Sequence, residues 1–155
     1  MDICEFELEI SYCQFAFFGS GVRLPFNDWT PKHIVQGFSW QEHSACFKTI
    51  EDNSIHSFRV WLSKKVPNPN ANCARALLVP SPAISQLLVE VASIGDGYEF
   101  TIPSKPKGML VEIFPNEKAN RPHIEICLVE EMTRRFEVLK SDQELSPEHP
   151  LLFPT

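Results

Sequence analysis

Residues 5–12 read Glu5-Phe6-Glu7-Leu8-Glu9-Ile10-Ser11-Tyr12. Phe6, Leu8, Ile10 and Tyr12 fall on one face of an extended chain, and Glu5, Glu7, Glu9 and Ser11 on the other. Period two over eight residues marks a half-buried antiparallel strand, because successive side chains of a strand point to opposite faces. Phe15-Ala16-Phe17-Phe18 follows, apolar on both faces, so the strand is expected to continue into the core as far as Phe18. Gly19-Ser20-Gly21 ends it.

Downstream, Thr30-Pro31 opens the one predicted helix. Thr30 is the N-cap, Pro31 takes the first helical position where a missing N–H costs nothing, and Gly37 stops the helix after about two turns. Asp28 stands where its charge favours the helix N-terminus. The remainder reads as strands over 44–50, 57–66, 75–79, 87–92, 98–102, 109–114 and 124–129, with 136–139 as a final candidate. Residues 130–135 read either as a helical turn or as a lead into that strand. Polar or Pro-rich turns separate these runs, among them Glu51-Asp52-Asn53-Ser54 and the 66–72 loop with its two Pro and three Asn. Many short strands at close spacing predict a mainly β fold: a single-domain antiparallel β-sandwich with one short helix near residues 30–37. A Pro-rich acidic tail starts at about residue 141, and its Leu151-Leu152-Phe153 is expected to dock on the body.

With 155 residues, 43% hydrophobic and 22% charged, the chain is long enough for a real core. Fourteen basic against 20 acidic side chains give a net charge of −6. That balance argues against direct nucleic-acid binding, which needs a Lys and Arg surplus, and it suits a basic partner. Solubility alone also accounts for it. The five cysteines, at 4, 13, 46, 73 and 127, are odd in number and have no C-x-x-C spacing. That speaks against a disulfide or zinc framework and for a reducing cytoplasm, and Cys4, Cys13, Cys46 and Cys127, in strand-like runs, read as small core residues. The start lacks the pattern of a secretory signal and no apolar run is long enough to span a bilayer, so membrane association is expected only through a partner.

Little in the sequence carries chemistry. The His residues at 33, 43, 56, 123 and 149 have no ligand spacing, and no metal or cofactor is expected. No nucleophile elbow, P-loop or dinucleotide fingerprint is present. An active site dispersed along the chain stays open, since catalytic residues need not be sequence neighbours.

Acidic groups are the better candidates. Glu5, Glu7 and Glu9 form a ladder with a repeat of about 7 Å at strand rise. That is near the phosphate spacing of a nucleic-acid strand, so the ladder suits a nuclease cleft. It equally suits a solvated strand face or a charged edge that blocks aggregation. Asp96 and Glu99, read as flanking a turn at Gly97, lie in a stretch from Ala76 to Ser104 without Lys or Arg. Trp29, Trp40 and Trp61 serve either recognition or the core.

Several segments resemble the competence protein J family. They are Ile10-Ser11-Tyr12-x-Gln14-Phe15, Asp28-Trp29-Thr30, Ser57-Phe58-Arg59-Val60, the run 89–94, Tyr98-Glu99-Phe100-Thr101-Ile102-Pro103 and Gly108-Met109-Leu110. The likeness spans about residues 6–130. It implies a non-catalytic inhibitor or immunity protein that binds and silences a DNA-degrading nuclease, with a basic nuclease as partner. Tyr12, Gln14, Asp28, Trp29 and Thr30 are the motif residues, either building the fold or touching the partner. The acidic Pro-rich tail has no counterpart in this resemblance. The alternative is a β-sandwich module for a small ligand or glycan, which would use exposed Trp or Phe. Homodimerisation through a strand edge also stays open.

Overall fold

The structure, a computed structural model, describes residues 1–118 and 121–154. Two sheets face each other across one large core. The first has the order β1 (Asp2–Ile10), β5 (Ser54–Ser63), β10 (Arg121–Val129), β9 (Gly108–Lys118), β6 (Arg75–Pro80), β11 (Glu137–Lys140). The second has the order β3 (Phe38–Gln41), β4 (Ser44–Lys48), β2 (Gln14–Gly19), β7 (Leu88–Ser93), β8 (Asp96–Thr101). Neighbours are antiparallel except β5 and β10, which run parallel. The mainly β, two-sheet prediction holds, with that one parallel pair as an addition. The core between the sheets takes Leu8, Ile10, Phe15, Phe17, Phe47, Phe58, Leu77 and Val111, all essentially inaccessible.

The opening run is not one strand. β1 ends at Ile10, the chain turns through Ser11-Tyr12-Cys13, and β2 starts at Gln14 in the other sheet. Tyr12 and Cys13 have φ of 58° and 52°, the left-handed region that bulky side chains avoid. Period two therefore breaks, and Tyr12 leaves the face it shares in the sequence pattern with Phe6, Leu8 and Ile10. It is 73% exposed.

The helix α1 (Pro31–Gln36) forms as predicted. Thr30 is its N-cap in a capping box, and Gly37 its left-handed C-cap at φ 90°. His33 completes the box, its Nδ1 accepting from the Thr30 N–H at 3.0 Å. No helical turn forms over 130–135.

Three irregular segments cover the sandwich. Residues 22–30 lie over the outer face of the second sheet, where Val22, Phe26 and Trp29 pack on Ala16, Phe18, Cys46 and Ala92. The loop after β5 packs Val66 and Cys73 on the outer face of the first sheet, beside Leu78, Leu110 and Cys127. The tail closes the side where β3 and β11 end their sheets. Leu145 and Leu151 are buried there, and Phe153 stacks on Phe136 at 4.5 Å. Gln36 accepts from the Leu152 N–H at 2.9 Å and donates to its carbonyl at 2.8 Å. The buried Arg75 guanidinium donates to both oxygens of Asp142, at 2.8 and 3.0 Å, and to the Lys48 carbonyl at 2.7 Å. The expected docking of the tail is thus met.

Candidate functional site

On the opposite side, β1 and β8 are the outermost strands of their sheets. Phe6 bridges them, stacked on Tyr98 at 4.4 Å and on Phe58 at 5.1 Å. The Glu9 N–H donates to the Asp96 carboxylate at 2.8 Å. Glu9 and Asp96 therefore meet at one edge of the sandwich, while Glu5, Glu7 and Glu9 point out from the first sheet and Glu99 points out from the second, on the face where Val22 and Phe26 pack.

Their environments differ. Glu5, Glu7 and Glu9 are exposed on the outer face of β1. Glu5 stands across from Arg59, and Glu7 across from Ser57 while forming an ion pair with Arg121. Glu99 accepts from the Ser20 hydroxyl, and in register it faces Glu90. Burial, then the Glu99 charge, pushes the Glu90 carboxyl above its usual range. The turn between β7 and β8 is Ile94-Gly95, with Gly95 at φ 94°. Gly97, expected at the turn, instead lies within β8, so Asp96 begins that strand and Glu99 lies well inside it.

Most motif residues build the fold. Trp29 Nε1 donates to Gln14 Oε1 at 2.9 Å, tying the 22–30 segment to β2. The Asp28 carbonyl accepts from Ser39 Oγ at 2.7 Å, and Thr30 caps α1. Tyr12 is the exception, since its ring stands in solvent. Of the tryptophans, Trp40 is buried and Trp29 and Trp61 are half-buried. None supplies the exposed platform that a glycan reading needs.

One network escaped sequence reasoning. Beside the Glu5–Glu9 ladder, Ser57 Oγ lies 2.7 Å from His123 Nδ1, and His123 Nε2 meets Glu125. Glu125 in turn accepts from Arg59 at 2.7 Å. Burial opposes ionisation of Glu125, but hydrogen bonds from His123 and Arg59, and then their charges, outweigh it and hold the carboxyl below its usual range. The residues come from two parallel strands 66 positions apart, so no local motif announces them. Ser57 and His123 line a cleft of about 460 Å³ with Phe6, Phe58, Glu5, Glu7 and Arg121. Ser–His–Glu in this order has the layout of a nucleophile, a base and an orienting carboxylate. Yet Ser57 and His123 sit mid-strand, where the sheet ladders take the backbone N–H groups that would receive an oxyanion. The network reads as a buried polar grid that fixes β5 against β10.

The thiols are poor nucleophiles. Burial pushes Cys4, Cys46 and Cys73 up to about 11 and Cys127 up to about 12. Among the described residues no three His, Cys, Asp or Glu side chains are grouped so as to hold a metal ion, and no helix is long and apolar enough to cross a membrane.

Comparison with known proteins adds a relationship to this geometry. No curated protein matches the chain. The crystal structure of ComJ from Bacillus subtilis, an inhibitor of the DNA-degrading activity of NucA, matches with a TM-score of 0.71 at 19% identity. The match covers 84% of this chain and 98% of that one, and it is a likeness of fold. The family model of Competence protein J (ComJ) matches residues 7–139, from the acidic first strand to β11, and the chain belongs to that family.

Proposed function

We propose that this protein inhibits a DNA-degrading nuclease by forming a complex with it, and that the β1/β8 side makes the contact. Family membership supplies the activity, since ComJ of Bacillus subtilis is described as inhibiting the DNA-degrading activity of NucA. The observation that carries the choice of surface is the meeting of Glu9 with Asp96 at the β1/β8 edge, with Glu5 and Glu7 exposed beside it on β1 and Glu99 on the outer face of β8. A nuclease grips phosphates with cationic groups, and an acidic surface is complementary to them. Inhibition in this reading is occlusion of the DNA-binding face, and the inhibitor itself turns nothing over. It acts in the cytoplasm, and any membrane location is the nuclease's.

The test is charge reversal. Glu5→Lys and Glu9→Lys together should slow association with the cell's own NucA-type nuclease by about tenfold or more at low salt, and the gap to wild type should narrow as salt rises. An unchanged association rate would remove this surface from the account. Glu7 is left in place because it holds Arg121.

A further inference from the structure

The chain passes between the sheets through a two-residue hairpin turn closed by the Ser11–Gln14 bridge, and packing does not explain the residue at its tip. Tyr12 and Cys13 both adopt positive φ, where glycine or asparagine is at ease and an aromatic residue is strained. The strain returns nothing to the core, because the Tyr12 ring is 73% exposed. The surroundings nevertheless impose the geometry from three directions. The Cys13 N–H donates to Asp52 Oδ1 at 2.9 Å, and the Ser11 N–H to Ser93 Oγ at 2.8 Å. Ser93 Oγ donates to the Gln14 carbonyl at 2.8 Å, and the Thr49 N–H to the Cys13 carbonyl at 2.8 Å. Positive φ at both positions is what a two-residue hairpin turn between the paired Ser11 and Gln14 demands, but Asn or Gly would supply it at lower cost, so the benefit of an aromatic side chain at this tip lies elsewhere.

What surrounds the ring indicates where. The segments next to those that fix it carry two further exposed apolar side chains, Ile55 at the start of β5 at 47% and Ile94 in the β7–β8 turn at 40%. Ile55 pairs in register with Glu9. Asp52 lies in the turn before β5, and Asp96, the first residue of β8, holds the Glu9 N–H. An aromatic tip with apolar neighbours and carboxylates around it has the make-up of an interface hot spot, where a central Tyr is desolvated inside a polar rim. Because the turn is rigid before binding, little ordering entropy is lost when it docks.

We infer that Tyr12 is the anchor of the nuclease complex. Its ring enters an apolar recess on the cationic, DNA-binding face of the enzyme, while Glu9, Asp52 and Asp96 meet the basic groups around that recess. The occupant is a nuclease rather than a neutral partner because the segments that hold the turn carry three carboxylates, Glu9, Asp52 and Asp96. This inference rests on the inhibitor reading above.

The experiment uses the cell's own NucA-type nuclease, purified, with DNA degradation and binding kinetics as readouts and the melting temperature as the control for folding. Tyr12→Gly removes the ring and relieves the strain together. Affinity should fall about 30-fold or more, mostly through faster dissociation, while the melting temperature stays level or rises. Tyr12→Phe should keep affinity within about tenfold, the worth of one hydroxyl hydrogen bond. Ile94→Ser should weaken binding in the same direction as Tyr12→Gly. Wild-type inhibition with an equally potent Tyr12→Gly would overturn the anchor and leave the inhibitor reading standing. Self-association of the wild type that Tyr12→Gly abolishes, with inhibition unchanged, would assign the ring to a second copy of this chain and also overturn it. A wild type that does not inhibit the nuclease would overturn both readings.

Discussion

The two sides of the sandwich meet the same difficulty in different ways. Each ends in a pair of outermost strands, and an unpaired edge invites association with other chains. Where β3 and β11 end their sheets, the protein covers itself: α1 and the tail bury Leu145 and Leu151, and Arg75 is locked to Asp142. Where β1 and β8 end theirs, it stays open. Phe6, Tyr98 and Phe58 join the sheets, and outside them stand carboxylates and the exposed Tyr12. Charge alone would keep an open edge from aggregating, so the acids have a sufficient structural reason. A strained, exposed aromatic residue does not, and on that asymmetry rests the proposal that the open side is the working side.

Breaking the covered side should have the largest effect on stability. Asp142→Ala removes the bidentate partner of the buried Arg75 guanidinium and leaves it the more exposed Glu144 carboxylate at 3.7 Å. Removing one partner of a buried pair costs about 3–5 kcal/mol, so chemical denaturation should move to markedly lower denaturant. The fraction that remains folded should inhibit the nuclease as well as wild type.

The open side has an acid-sensitive element beneath it. His56 on β5 is fully buried across from Leu8, its Nδ1 beside the Ser54 carbonyl. Burial lowers its pKa, more than the Ser54 carbonyl and the Glu51 and Asp52 charges raise it. The unfolded chain takes up a proton near the ordinary value of about 6.5 while the folded chain resists, so stability is full above that pH and declines as pH falls below it. Thermal melts from pH 7 to pH 5 should show this decline, and His56→Leu should flatten it. An equal slope in the variant would place the sensitivity in another group.

The smallest effect belongs to the ladder. Glu5→Gln and Glu9→Gln should each change stability by no more than about 0.5 kcal/mol, because both side chains are exposed. A larger loss in denaturant titrations would mean that the acids hold the sandwich together and are not free for a partner.

Much of this arrangement was legible in the sequence. Thr30, Pro31 and Gly37 sit where local chemistry dictates a cap, a first turn and a stop, and the helix follows. Most strands could be read because alternation and turn residues bracket them. The crossing at Tyr12 and Cys13 was hidden because left-handed positions normally hold Gly or Asn, and Ser11-Tyr12-Cys13 reads as more strand. β3 was missed because four residues after a helix stop carry almost no periodicity. The parallel pairing of β5 with β10 and the Ser57–His123–Glu125–Arg59 grid depend on register between distant segments. The acids were readable one strand at a time. The meeting of Glu9 and Asp96 at one edge depends on which strands end the sheets.

The most direct test of the account is amide hydrogen exchange of the protein alone and in complex with the NucA-type nuclease. Protection should appear at residues 5–13, 51–55 and 93–99, while α1 and residues 141–154 exchange as they do in the free protein. Protection confined to α1 and the tail, with the β1/β8 side unchanged, would contradict it.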